Sequence, residues 1–190
     1  MQFHRYPHLE GTHAPYSPSQ SAWLRYDEKK AVNVHLKKKA AMRGTVLHEW
    51  AKQTIDLGIK QPDTNKTLYM YVNDGIGFRM KTEVILYYSP RFYGTADTIS
   101  FRKIGDRHFL RIHDLKTGEE KVSMEQLKVY AALFCLEYKY NPEDIDMELR
   151  IYQNNEILYC NPTAEEIREI MAFMIARDKI YEKLDNDEEV

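Results

Sequence analysis

The stretch Gly94–Gly118, GTADTISFRKIGDRHFLRIHDLKTG, decides the reading of this chain. Two runs within and just before it, Tyr93–Phe101 and His108–Leu115, are dense in β-branched and aromatic residues. They are joined through Lys103–Arg107, with Gly105 in the turn, which is the pattern of a β-hairpin. Alternation along the second run puts Asp114 and Lys116 on one face and Leu115 on the other. Asp97 lies one hairpin earlier, so a short turn brings it and Asp114 onto neighbouring strands. Two converging carboxylates repel unless a divalent cation sits between them. Aspartate is a hard oxygen ligand for Mg²⁺ or Mn²⁺, and the backbone carbonyl of Leu115 is a further oxygen donor. The Lys116 ammonium can orient or deprotonate a water and offset phosphate charge. Gly118 lets the chain turn sharply past the site.

The pattern extends in both directions. Upstream, Thr67–Val72 and Phe78–Tyr88 read as further strands, rich in Tyr, Val, Ile and Met. Before them, Val46, Leu47, Trp50, Ala51 and Ile55 recur at helical spacing, with Gly44 opening that helix and Gly58 closing it. Ser17-Pro18-Ser19-Gln20 reads as an earlier helix start, with Ser17 capping, Pro18 at the first helical position and Gln20 closing a capping box. Downstream, Ser123 caps a helix running from Met124 to about Tyr140, stopped by Asn141-Pro142. Met147–Gln153 and Glu156–Cys160 form a hairpin around Asn154-Asn155. Thr163 opens a closing helix to about Leu184. The order is helix, helix, several strands, helix, hairpin, helix. It specifies one α/β domain over residues 1–190 with a central mixed sheet, an N-terminal arm over 1–16 and an acidic C-terminal tail over 178–190.

Composition narrows the function classes. At 190 residues the chain can bury a sizeable core, and no apolar run approaches the roughly 20 residues of a membrane span. The N-terminus lacks the apolar core of a signal peptide, which leaves the cytoplasm as the expected compartment. Cys135 and Cys160 are too few for a four-cysteine zinc or iron–sulfur site. The net charge of −2 hides a basic segment, Arg25–Arg43, and six acids from Asp178 onward. A polyanion-binding segment and a solvated helix both fit the first feature.

Four signals then stand in order: Gly44-Thr45-Val46-Leu47-His48, a His one turn into a helix; Gly94-Thr95-Ala96-Asp97; Asp114-Leu115-Lys116; and Gln126-Leu127-Lys128-Val129-Tyr130, with Gln and Tyr one helical turn apart. His48 adds a nitrogen ligand, which suits Mn²⁺ as well as Mg²⁺. A metal that activates water and neutralises a phosphate oxygen is the chemistry of phosphodiester hydrolysis. Singly, each signal also has a plain structural explanation: a surface ion pair, a satisfied histidine, ordinary helix residues.

Together the four resemble the PD-(D/E)XK nuclease superfamily, in its RecB-like branch of phage exonucleases and CRISPR-associated adaptation nucleases. The resemblance runs from about Ser17 to Tyr140 and includes Ser17-Pro18-Ser19 with Trp23-Leu24, similar to the N-terminal segment of phage members. It implies a restriction-endonuclease-like core and a metal held by His48, Asp97, Asp114 and the Leu115 carbonyl. It implies Lys116 as the catalytic lysine, and Gln126 and Tyr130 as residues that contact DNA and support the site. Glu83 falls where relatives often carry an acid. The iron–sulfur cysteines of several relatives are missing, so no cluster is expected. The implied function is a Mg²⁺- or Mn²⁺-dependent DNA exonuclease of phage recombination or DNA processing. The alternatives are a structure-dependent endonuclease and a nucleic-acid-binding module with a residual site. Lys37, Lys38, Lys39 and Arg43 are the candidate DNA contacts of the basic segment. DNA is the expected partner; the resemblance also brings in a single-strand annealing protein and a homo-oligomer, with no membrane.

Overall fold

The computed structural model of the protein describes residues 7–9, 14–119 and 121–187. They fall into two compact units, residues 1–45 and 46–190. Among the described residues no helix is long and apolar enough to cross a membrane. The part of the N-terminal arm before Pro7, residues 10–13, and the last three residues of the acidic tail lie outside the described residues.

The core is a five-stranded mixed sheet flanked by helices. Strands β1 (Lys81–Ser89), β2 (Phe92–Ile104) and β3 (Arg107–Leu115) form an antiparallel meander. The helix α3 (Glu125–Tyr138) then crosses back, so that β4 (Ile145–Gln153) pairs parallel to β3, and β5 (Glu156–Cys160) closes the edge antiparallel to β4. The sequence Ile145-Asp-Met-Glu-Leu-Arg-Ile-Tyr152 shows why both faces are covered. Ile145, Met147, Leu149 and Ile151 enter one apolar cluster with α3 and with α4 (Ala164–Asp187), whereas Tyr152 enters a second with Ala51, Ile55, Tyr71 and Leu115. Each such burial contributes roughly 1.5–3 kcal/mol, enough to fix the strand's register against a slip that would reverse its faces.

Local chemistry explains most element ends. Asn154 and Asn155 both take left-handed backbone, φ 51° and 61°, as a two-residue hairpin turn requires. Thr163 and Glu166 exchange hydrogen bonds at the start of α4, Glu166 N–H to Thr163 Oγ1 and Thr163 N–H to Glu166 Oε2. Ser123 Oγ accepts from the Glu125 N–H just before α3, and left-handed Lys139 (φ 57°) ends that helix. Ser17 Oγ accepts from Ser19 N–H, but the helix it opens, Pro18–Arg25, is 3₁₀ and kinked at Gln20.

Two expected elements are corrected. Thr67–Val72 is not a strand: it opens the helix α2 (Thr67–Gly77). Its β-branched and aromatic content is outweighed by burial of Tyr71, Val72 and Gly75 on one helical face. Gly75 allows close approach there, since a Cβ would stand 2.8 Å from Ile55 Cδ1. Gly44 does not open a helix either. It lies inside one continuous helix, α1 (Glu28–Asp56), at a cost of about 1 kcal/mol relative to Ala, next to the division between the two units.

Candidate active site at the end of the central strands

The ladder between β2 and β3 runs from Ile104↔Arg107 to Thr98↔His113 and stops. The next two residues are Asp97 and Asp114. The Leu115 amide donates to Asp97 Oδ2 at 3.1 Å, so a side chain takes over where the backbone ladder ends. His48, from α1, brings its Nδ1 to 3.3 Å from the same Asp97 oxygen. Lys116 Nζ lies 3.0 Å from both carboxylate oxygens of Asp114 and donates to Oδ1. It also donates to Gln126 Oε1 of α3, at 3.0 Å. One turn further along α3, the Tyr130 ring lies on the backbone of Gly94. A Cβ at position 94 would come within 2.9 Å of Tyr130 Cε1, which is why glycine stands three residues before Asp97.

The four sequence signals thus converge within residues 46–190. His48 meets Asp97, Asp114 meets Lys116, Lys116 meets Gln126, and Tyr130 meets Gly94. Lys37, Lys38, Lys39 and Arg43 belong to the other unit, on the first half of α1. Three consecutive lysines fan around a helix at 100° intervals, so they do not share a face. Lys38 is engaged locally, donating to the Pro15 carbonyl and lying over the Tyr16 ring.

The sheet is broken at this site. Thr82↔Thr98 and Val84↔Ala96 place Glu83 across from Asp97, and Glu83 adopts φ 51° inside a strand. Left-handed backbone at a non-glycine residue costs about 1–2 kcal/mol. Alternation along β2 shifts at the same place. Ala96 and Ile99, three residues apart and so of opposite parity, both enter the α3/α4 cluster. The shift leaves Asp97 on the opposite face from that cluster, toward His48, while Asp114 shares the face of Ile112 and α3. The two carboxylates therefore meet at the sheet's open end.

Electrostatics follow from this placement. Burial, then the neighbouring Asp114 carboxylate, push Asp97 up to about 6, against the opposing pull of His48 and the Leu115 amide. Glu83 adds to the upward push. Asp114 Oδ2 is buried, and its close partner is the Lys116 ammonium 3.0 Å away. An aspartate oxygen so placed, beside a second carboxylate held against its preference, fits a divalent cation. The donor set, oxygen-rich with one imidazole, suits Mg²⁺ or Mn²⁺. As the side chains stand, no three His, Cys, Asp or Glu among the described residues are grouped so that they could hold a metal ion. Asp97 is turned to His48 and Leu115, and Asp114 to Lys116. A cleft of about 480 Å³ opens beside Lys116, lined also by Lys121, Ser123, Gln126 and Gln153.

Sequence reasoning missed Tyr71. It is buried under the acids, its ring edge-on to Tyr152 at 5.3 Å. Burial, then the Asp97 carboxylate, raise its hydroxyl well above the ordinary tyrosine range. Its spacing from Leu68, Val72 and Gly75 is helical, the one signal that could have found it. Also missed was a polar network on the α2 face. Arg150 Nη1 and the Tyr152 hydroxyl donate to Asp74 Oδ2, at 2.8 and 2.5 Å. Arg111 Nε and Arg150 Nη2 reach Glu148 Oε1 at 3.0 Å each. His113 Nδ1 lies 3.2 Å from the Tyr152 hydroxyl. The guanidinium groups of Arg111 and Arg150 also lie over the Phe78 ring.

Comparison with protein-family models, with curated proteins and with solved structures returns no match.

Proposed function

We propose that the protein is a divalent-metal-dependent deoxyribonuclease of the PD-(D/E)XK type, with a restriction-endonuclease-like core. The observation that carries this reading is the pair Asp97 and Asp114, brought together where the β2–β3 ladder opens, with Lys116 3.0 Å from Asp114 and the Asp97 pKa pushed up by burial and by Asp114. Two carboxylates held together there repel each other, and a divalent cation would relieve that repulsion.

A divalent cation held by Asp97 and Asp114, with His48 and the Leu115 carbonyl as further donors, would supply charge neutralisation at a phosphate oxygen and a more acidic water. The rest falls to the chain. Lys116 projects its ammonium at the end of β3, fixed from two sides by Asp114 and Gln126. There it orients the attacking water and offsets charge developing on the phosphate. Gln126 holds Lys116 in place through its Oε1. Tyr130 against Gly94 fixes α3 relative to β2, so the Lys116–Gln126 contact and Asp97 keep one geometry. Substrate phosphates have the adjacent cleft, with Lys121 and Ser123, to occupy.

Exonuclease action is the favoured form, on the resemblance to phage enzymes. Digestion of end-labelled linear and closed circular duplexes, with Mg²⁺ or Mn²⁺ and with EDTA, tests the reading. Metal-dependent release of nucleotides from linear DNA only is the expected result. Cleavage of the circle makes the protein an endonuclease. Binding without cleavage in either metal reduces it to a binding module.

A further inference from the structure

The β1–β2 hairpin carries a second feature on the same face as Asp97. Gly94 and Ala96 point toward α3, so Tyr93, Thr95 and Asp97 share the opposite face. On β1, Tyr87 and Ile85 pair with Tyr93 and Thr95, and Glu83 stands across from Asp97 at the break in the ladder. The face therefore reads, rung by rung, Glu83 with Asp97, Ile85 with Thr95, and Tyr87 with Tyr93. Ile85 is 62% exposed, Tyr93 63% and Tyr87 46%. The two tyrosine rings lie 6.2 Å apart and are tilted by 30°, side by side rather than buried in each other. The platform is held firmly. The Tyr87 N–H donates to Glu137 of α3, and Arg91 in the turn pairs with Asp178 and Asp185 of α4.

We propose that this strip is a base-stacking platform for a single strand of DNA leading to the candidate active site. The proposal rests on the nuclease reading and gives its substrate a path. Three features favour this occupant. The strip ends on Asp97, on the same two strands, so a strand lying along it is delivered to the acids. The tyrosine rung stands four residues from Asp97, about 13 Å along the strand, a distance of a few nucleotides rather than of a whole domain. None of the six residues on these rungs is a lysine or arginine, and two are carboxylates, so the strip cannot recruit a phosphate backbone by charge. It can take unstacked bases by their flat faces on the two rings, the aromatic half of a single-strand site, while the cations that track the backbone would come from outside the strip. A duplex hides those faces, so the substrate on this surface is single-stranded.

The test is the affinity of the full chain for a fluorescein-labelled oligo-dT, read by anisotropy in EDTA so that no cleavage occurs. Tyr87→Ala and Tyr93→Ala should each raise Kd about 5-fold or more, the effect of one lost base–aromatic stack. Tyr87→Phe and Tyr93→Phe should stay within about 2-fold of wild type, because the ring is kept. The slope of log Kd against log salt should not change, because no phosphate contact is removed. An unchanged Kd in the doubly substituted Ala protein, with its circular dichroism intact, overturns the proposal. So does a Phe variant as weak as the Ala variant. If Kd is unchanged but the Ala variants sediment at a lower mass than wild type, the strip is a surface between copies of this chain, and the proposal is likewise wrong. Cleavage in Mg²⁺ is measured in parallel. Tyr-dependent binding without cleavage defeats the nuclease reading alone, and cleavage with Tyr-independent binding defeats the strip alone.

Discussion

β2 and β4 flank the same strand, β3, and each sets a carboxylate beside it, Asp97 at its end and Glu148 across from Arg111 at its middle, but the two acids are driven in opposite directions. Asp97 on β2 is pushed up to about 6 by burial and by Asp114. Glu148 on β4 is held down to about 2, first by the His113 imidazole beside it and then by the guanidinium groups of Arg150 and Arg111. The contrast is sharpest within β3 itself. His113 turns to the α2 face and joins the network of Asp74, Arg150 and Tyr152. Asp114, its neighbour, turns to the α3 face and pairs with Lys116 beside Asp97. On one side each carboxylate has a cation or hydroxyl against it. On the other, three acids share one lysine and one histidine. The first side pairs its acids with guanidinium groups, whereas the second holds more negative charge than its lysine and histidine offset.

The largest effects should come from the unmatched side. Asp114→Asn or Asp97→Asn should lower cleavage by at least roughly 10²-fold, because each removes a charged donor from the site. Binding of DNA in EDTA should change far less. If either variant cleaves near the wild-type rate in Mg²⁺, the two sides of β3 do not differ in kind.

Breaking the matched side should cost stability instead. Glu148→Gln leaves Arg111 and Arg150 facing a neutral amide, and should destabilise the fold by about 3 kcal/mol, read as a lower urea midpoint with an unchanged slope. Cleavage per folded molecule should be affected little.

The pH dependence of stability separates the two acids by sign. A folded pKa below the unfolded value stabilises above the unfolded pKa, so Glu148 contributes near neutrality and its contribution is lost as pH falls from about 4 toward 2. Asp97 has a folded pKa above its unfolded value. It carries no penalty below about pH 4 and an increasing one as pH rises through about 6. In EDTA, Asp97→Asn should match wild type in acid and exceed it by up to about 3 kcal/mol above pH 6. Added Mn²⁺ should close that gap by stabilising wild type. Equal stability of the two proteins at every pH would remove the electrostatic deficit from the account.

A smaller effect is expected at Glu83. Glu83→Gly relieves the left-handed backbone but adds freedom to the unfolded chain, for a net gain of about 0.5–1 kcal/mol. Cleavage should fall with it, since an acid facing Asp97 is lost. A gain in stability with full activity would make Glu83 a strained bystander.

Much of this contrast could be read from residue order. Asp114 and Lys116 stand where strand alternation puts them, Asn154-Asn155 makes the turn its residues favour, and Thr163 meets Glu166 as a capping pair. These features depend on neighbours within a few residues. What depended on distant packing was hidden. Thr67–Val72 carries strand-forming residues, yet burial of Tyr71 and Val72 against α1 and Tyr152 makes it helical. Gly44 has the composition of a helix start but the helix runs through it. The shift of faces at Asp97 and the backbone of Glu83 are cross-strand properties with no local signature. The network of Asp74, Arg111, His113, Glu148 and Arg150 joins residues from α2, β3 and β4, and only the register brings them together. Sequence spacing found the chemical groups of the site. It did not find the irregular sheet that brings them to one place.

Lys116 tests the account most directly, because it joins the acid on β3 to the helix α3. The measurement is turnover of an end-labelled linear duplex at saturating Mn²⁺, divided by the folded fraction, for wild type and Lys116→Ala. The account predicts metal-dependent cleavage by wild type, a fall of roughly 10²–10⁴-fold in the variant, and a melting temperature little changed. No cleavage by wild type in either metal, or turnover retained in a variant that merely melts earlier, would contradict it.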